Sequence, residues 1–314
     1  MKFEFKDKFN PQVLAGGLKR YNVDSSQAKE LGAYENIVWE ANDVIYRFVH
    51  HSHRNRELIE AELEFMDYLF GHGARCVQPV RDVDGGFVTD LGEFYITAFK
   101  KAKGSRPSKD NWVPQMWKSW GRQIGVMHRL AKDFNPVHKR YVWHEDTYYT
   151  NPVTDFPECP PVLPLLNKTI EEIKNLLQNR DNWGLVHSDV HHGNFFVDEN
   201  FDVEVFDFDD SMYMHYAQDI AMVMFYGLMV PAQNRTEYAK NLYNAVMDGY
   251  TKENTLAKED LKTIPLFIDL RRLVDIFVVL APKPRNLEDR NVQFGLKFVD
   301  DVQRGEPYID IDFV

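Results

Sequence analysis

A chain of 314 residues that is 44% hydrophobic and 14% aromatic can bury a sizeable core, as one large domain or two lobes, which excludes a disordered polymer. Its formal net charge of −11 at pH 7 argues against nucleic acid or an anionic membrane surface as the main partner. Cys76 and Cys159 are the only cysteines and form no C-x-x-C pair, so neither a disulfide framework nor a structural zinc site is expected.

The start, MKFEFKDKFNP, is charged from its second residue and has no apolar h-region of a signal peptide. The longest uncharged apolar run, Ile220 to Ala232, is thirteen residues and too short to span a bilayer. A reducing, cytoplasmic location is the expectation.

The first hundred residues read as strands around one helix. Asn36 to Glu40 (NIVWE) and Val44 to Val49 (VIYRFV) are β-rich runs joined by a hairpin turn at Asn42-Asp43. Leu58, Ala61, Phe65, Tyr68 and Leu69 recur at helical spacing over Glu57 to Phe70, and Gly71 and Gly73 end that helix. The run His50-His51-Ser52-His53, at a strand end before Arg54 and Arg56, reads as a solvated loop. Gln78 to Val88 contains an Asp-Gly-Gly turn, and Phe94 to Phe99 (FYITAF) is a further strand. Lys100 to Lys109 (KKAKGSRPSK) is basic and without apolar periodicity, which makes it the linker of the first half.

Beyond the linker helical patterns dominate, over 114–132, 166–178, 219–229, 237–251 and 263–280. His128 falls among Ile124, Met127 and Leu130 and reads as a hydrogen-bonded, half-buried side chain. Asp219 reads as the N-cap of the helix from Ile220. Trp143 to Tyr149 (WHEDTYY) interleaves aromatics with acids. It is either a packed connection or a seat for a cationic acceptor through cation–π contacts.

Only the region 185–207 is strongly β-like. LVHSDVHHGN, Leu185 to Asn194, leads into a hairpin of 195–197 and 203–206 that ends at Asp207-Phe208-Asp209-Asp210. A zinc reading of the three histidines fails for want of spaced partners. Asp189, Asn194 and Asp207 instead suit phosphoryl transfer. A carboxylate orients the acceptor hydroxyl and takes its proton, while an amide oxygen and a second carboxylate are hard ligands for Mg²⁺. Asp209 and Asp210 read as acidic turn residues.

These residues resemble a known family. HSDVHHGN resembles the H-G-D-x-H-x-x-N loop of the aminoglycoside/choline phosphotransferases, which have a protein-kinase-like fold, and VFDFDD…YAQDIA resembles their metal-binding aspartate and D-[IL]-A helix start. LGAYENIVWEANDVIYRF is similar to their nucleotide-covering hairpin, and GRQIGVMHRLAKDF to the helix opening their larger lobe. The closing segment suggests the subgroup with stress-response Ser/Thr kinases and homoserine-kinase-like enzymes. The resemblance implies a two-lobed α+β fold with MgATP between the lobes, a nucleotide-binding lobe at 1–100 and a catalytic, acceptor-binding lobe at 101–314.

It also implies roles. Asp189 is the catalytic base, His187 and His191 shape its loop, and Asn194 and Asp207 hold Mg²⁺. Arg47 contacts the nucleotide phosphates and pairs with Glu62, and Thr97, Ala98 and Phe99 form the hinge strand that holds adenine. Ser188 stands where the family has Gly. Gly32-Ala33-Tyr34-Glu35-Asn36 replaces a glycine-rich phosphate loop. No A-P-E lies between Asp207 and Asp219, which favours a small hydroxyl-bearing acceptor over a protein Ser/Thr. A protein kinase and a catalytically silent nucleotide-binding protein are the alternatives, and retention of both aspartates argues against the second.

Overall fold

The computed structural model describes residues 5–33 and 36–314, so Tyr34 and Glu35 of the expected phosphate turn lie outside the described residues. The chain divides into two compact units. The first contains 1–104, 134–140 and 204–209; the second contains 105–133, 141–203 and 210–314.

The first unit begins with helix α1 (Pro11–Lys19), whose N-cap Asn10 accepts from the amides of Gln12 and Val13. Strands β1 (Lys29–Ala33), β2 (Ile37–Ala41) and β3 (Val44–His50) follow, then helix α2 (Arg56–Gly71) and strands β4 (Pro79–Val80), β5 (Thr89–Asp90) and β6 (Phe94–Lys100). All six strands form one antiparallel sheet in the order β1-β2-β3-β6-β4, with β5 also on β6. Asn42 and Asp43 both have positive φ, 53° and 57°, and Ala41 pairs with Val44, the backbone of a tight two-residue hairpin. Among the described residues two α-helices therefore accompany the strands, not one. Leu14 and Leu18 of α1 pack with Tyr46, Phe48, Phe94 and Ile96 on one face of the sheet.

Two later segments return to this unit. The Val205 carbonyl accepts from Val77 N and its amide donates to the Arg75 carbonyl, each at 3.0 Å. Arg140 donates to the Leu58 carbonyl at 2.9 Å and also to that of Asp209.

At the sheet's turn, Asp82 accepts from Arg20, Thr89 and the amides of Asp84 and Gly86. Burial would raise its pKa, but the Thr89 and Arg20 hydrogen bonds outweigh that and hold it at about 2. A depressed carboxylate pKa adds stability above the unfolded value, about 3.9, and loses it as pH falls through the folded one. Asp82→Asn should therefore cost about 1–3 kcal/mol at neutral pH, and urea midpoints of the two proteins should converge as pH drops from about 4 towards 2. A gap that stays constant down to the acid limit would refute this.

The second unit is mainly helical. It contains α3 (Pro114–Ala131), a 3-10 turn (Trp143–Glu145), α4 (Thr147–Thr150), α5 (Cys159–Lys174), β7 (Trp183–Val186), β8 (Phe195–Val197), β9 (Val203–Val205, whose last two residues belong to the first unit), β10 (Met212–His215), α6 (Ala217–Gly227), α7 (Arg235–Tyr250), α8 (Lys258–Leu261), α9 (Ile264–Leu280) and α10 (Arg290–Gln303). Strand β7 pairs with β10, and β8 with β9, each antiparallel or as a hairpin. The helix expected from Leu166 begins at Cys159: Pro160 and Pro161 need no amide partner in its first turn, and Pro164 is accommodated inside it.

Helices α3 and α7 cross at backbone contact. A Cβ on Gly121 would lie 1.9 Å from the Val246 carbonyl oxygen, and one on Gly249 as close to that of Lys118. The crossing sets His128 of α3 against Tyr250 of α7. Among the described residues no helix is long and apolar enough to cross a membrane.

Candidate active site

Strand β7 delivers the chain into the loop 187–194, and helix α6 holds that loop in shape. Asp219 is fully buried in the first turn of α6. Its Oδ1 accepts from the amide of Ser188 at 2.8 Å, and its Oδ2 from the amide of His187 at 3.1 Å. His128 Nε2 approaches the same Oδ2 at 3.0 Å, and His128 Nδ1 lies 3.0 Å from the Tyr250 hydroxyl, which accepts from Asn254 Nδ2 at 2.7 Å. The consistent tautomer has Nε2–H donating to Asp219 and the Tyr250 O–H donating to Nδ1.

Asp219 is therefore no N-cap, since α6 starts two residues earlier with Tyr216 at the capping position. It is the anchor that fixes the loop. His128 is hydrogen-bonded as expected, but fully buried. Ser188 has φ 70°, so this position does require the left-handed region, and Asp219 holds a serine there.

The loop then folds on itself. Asn194 Nδ2 donates to the Asp189 carbonyl at 2.9 Å and to Asp189 Oδ2 at 3.1 Å, and His191 Nε2 stands 3.3 Å from the same Oδ2. The Gly193 amide donates to His191 Nδ1 at 2.8 Å, which puts the histidine proton on Nε2, facing the carboxylate. The Asp189 amide reaches His187 Nδ1 at 3.3 Å, and Trp120 Nε1 donates to the Val190 carbonyl at 3.0 Å. The loop histidines thus shape the turn, and Oδ2 of Asp189 is committed while Oδ1 is not.

A cation missed by sequence reading completes this end of the site. Arg271 of α9 places Nη2 3.5 Å from Asp189 Oδ1 and Nε 3.3 Å from Asp275 Oδ1. Burial alone would raise the pKa of Asp189; the His191 hydrogen bond and the Arg271 charge outweigh it and hold the group at about 2. Burial raises Asp275, with Asp189 adding to the shift and Arg271 opposing it. An arginine within an apolar helical stripe carries no local signal, so no spacing rule would have found it.

The first unit holds the other expected residues. Arg47 on β3 forms a two-pronged pair with Glu62 on α2, at 2.9 and 2.7 Å, both side chains buried. Burial lowers the Arg47 pKa, but the Glu62, Asp209 and Asp207 charges prevail and raise it. Phe208 is fully buried against Phe65, at 6.1 Å between ring centroids, while the preceding Asp207 is exposed with φ 65°.

Asp209 is not a free turn acid. Its buried carboxylate meets His53 Nε2 at 2.7 Å and Arg54 Nε at 3.4 Å. That overturns the solvated-loop reading for His53, and His50 is buried as well.

The expected hinge residues lie within the sheet. Ala98 and Phe99 are paired with β3 on one edge and β4 on the other, and buried Thr97 is paired with Arg47, so their backbone is used within the sheet. Past the strand pairing the Lys100 amide donates to Gln78 O, that of Lys101 to Asp43 O, and that of Lys103 to Glu204 Oε2 at 3.2 Å. In the Trp143–Tyr149 segment Trp143 is fully buried, edge-on to Tyr149 at 5.1 Å, which favours a packed connection.

Asn194 and Asp207 offer hard oxygen donors of the kind a divalent cation takes. Both amide hydrogens of Asn194 are spent on Asp189, which leaves its amide oxygen for a cation. Among the described residues no group of three or more His, Cys, Asp or Glu side chains is arranged to hold a metal. A cation on either group would need non-protein oxygens as well, as phosphate-bound Mg²⁺ does.

Comparison with known proteins agrees with this chemistry. A family model described as "Phosphotransferase enzyme family" matches residues 29–256, well over half of the chain. Amicoumacin kinase of Bacillus subtilis (strain 168) is 28% identical over 320 residues, covering 96% of this chain and 94% of that protein. A solved amicoumacin kinase in complex with AMP-PNP, Ca²⁺ and Ami superposes with a TM-score of 0.92 at 25% identity, over 100% of this chain and 99% of that one. A microcompartment-associated aminopropanol kinase shares the fold at TM-score 0.72 and 19% identity, over 93% and 94%. The α+β composition is thus that of a protein-kinase-like fold, with an antiparallel sheet in the N-terminal part and a mainly helical C-terminal part. The chain belongs to the phosphotransferase enzyme family and is an ATP-dependent kinase acting on a hydroxyl of a small molecule.

Proposed function

We propose that the protein phosphorylates a hydroxyl of an antibiotic-type small molecule, with ATP as donor and Mg²⁺ as its cation. The carrying observation is the Asp189 carboxylate: one oxygen is locked by Asn194 and His191, and the other is left to receive an acceptor hydroxyl. A carboxylate held at a pKa of about 2 is ionised at neutral pH and a weak base. Its work is to orient the hydroxyl and accept the proton late, as the phosphoryl group leaves the donor oxygen.

In this reading Asn194 and Asp207 hold the cation, which supplies charge neutralisation on the phosphates. Arg47, fixed by Glu62, faces the phosphates, and the backbone just past β6, around Ala102, meets adenine. The first unit takes the nucleotide and the second the acceptor. Between Asp207 and α6 the chain has only a turn and β10, which leaves little chain to present a peptide and favours a small acceptor over a protein Ser/Thr. The narrower grouping with stress-response Ser/Thr kinases and homoserine-kinase-like enzymes draws no support from the relatives.

The test is ATP turnover with amicoumacin, spectinomycin, choline and a protein extract as acceptors, read by ADP release and by mass of the products. Phosphorylated amicoumacin or another small antibiotic is the expected product. Label appearing only in protein bands would overturn the reading.

A further inference from the structure

Arg271 stands at the Asp189 carboxylate, and beyond helping to keep that group ionised the transfer chemistry has no task for it. Its position is held from several sides. The guanidinium carbon lies 5.2 Å from the Tyr226 ring centroid, Nη2 bonds the Tyr226 hydroxyl, and Nε pairs with Asp275 one turn further along α9. Tyr226 itself packs on His191 at 4.6 Å between centroids. A long side chain tethered in this way has little freedom left to lose when a ligand arrives.

Two atoms in this group are unspent. Asp189 Oδ1 and Arg271 Nε are both buried, and neither has a hydrogen-bond partner among the described residues. The 3.5 Å approach of Arg271 to Oδ1 and its 3.3 Å approach to Asp275 are charge contacts, not hydrogen bonds. Buried polar atoms are rarely left this way, and a neighbouring pair of them needs an account. The two have opposite sense, because a carboxylate oxygen accepts and a guanidinium only donates. A ligand serving both presents a hydroxyl hydrogen and, beside it, an oxygen lone pair.

We propose that Arg271 reads a second oxygen on the acceptor, adjacent to the hydroxyl received by Asp189, so that 1,2-diols and α-hydroxy carbonyl compounds are preferred over lone alcohols. The inference rests on the small-molecule kinase reading and adds the acceptor feature that the site selects. The planar fork gives this preference its geometry, and its fixed charge turns an acceptor's own ammonium away from that spot.

The experiment uses the full chain with three probes: 1-amino-2-propanol, 3-amino-1,2-propanediol and amicoumacin. We expect the wild type to favour the diol over the lone alcohol in kcat/KM. Arg271→Met should shrink that quotient about tenfold or more, chiefly through the KM of the diol, by loss of a charge-assisted hydrogen bond. Arg271→Lys should recover part of it, and carries the comparison alone if the Met variant fails to fold by thermal melting.

A wild-type quotient near one, or one that changes by less than about twofold in the variants, overturns the proposal while the kinase reading stands. If amicoumacin is the only probe turned over, its KM must rise in the variants, and an unchanged KM is equally fatal. No turnover of any probe by the wild type overturns this proposal, and the parent reading falls with it only if no small antibiotic is phosphorylated.

Discussion

Asp189→Asn should lower kcat by about 10²- to 10⁴-fold with amicoumacin as acceptor, while nucleotide still raises the melting temperature. The substitution keeps the size of the side chain and removes its charge and its capacity to take a proton. Its local cost is also defined. Three donors surround the carboxylate, from Asn194, His191 and Arg271, and an amide can offer its single oxygen to only part of that set. The loss should therefore appear in kcat at saturating nucleotide, measured by ADP release under steady state. Retention of a tenth of the wild-type rate, about 1.4 kcal/mol in barrier, would mean that another group receives the proton.

How much of this was legible depended on the sequence distance over which each contact acts. Asp189 and Asn194 were readable as neighbours because their bond closes within one loop. Arg47 and Glu62 were readable because consecutive elements, β3 and α2, carry them. Residues whose partners lie far away were misread. Asp219 carries a cap's residue type at a helix start, yet its partners are 31, 32 and 91 positions away. Asp209 and His53 looked like solvated turn residues, and their contact spans 156 positions. Arg271 meets Asp189 only because α9 packs beside α6, which no local pattern encodes. Helix α1 was missed for another reason: nine residues with Gly16-Gly17 inside have weak helix propensity, and packing on the sheet supplies the rest.

The same hub gives the largest expected stability effect. Asp219→Ala should destabilise the protein by about 3–5 kcal/mol, seen as a lower urea midpoint, and should reduce kcat as well. The carboxylate accepts three hydrogen bonds at a site with no solvent exposure. Its removal leaves two amides and a histidine N–H buried without acceptors, each costing roughly 1–3 kcal/mol.

Asp219→Asn should fall between alanine and the wild type. One amide oxygen can serve the His187 or the Ser188 amide, but the NH₂ then faces the other donor. Activity should fall with stability here for a structural reason. Ser188 occupies a backbone region that costs an L-residue roughly 1–2 kcal/mol, and the bond from its amide to Asp219 holds it there. Without that bond Ser188 relaxes, and Asp189, the next residue, moves with it. A stable Asp219→Ala protein with unchanged kcat would show that the loop keeps its shape unaided. Histidine at 128 gives an independent check, since His128→Ala removes one donor and leaves both loop amides bonded. It should cost stability with a much smaller change in kcat than Asp219→Ala.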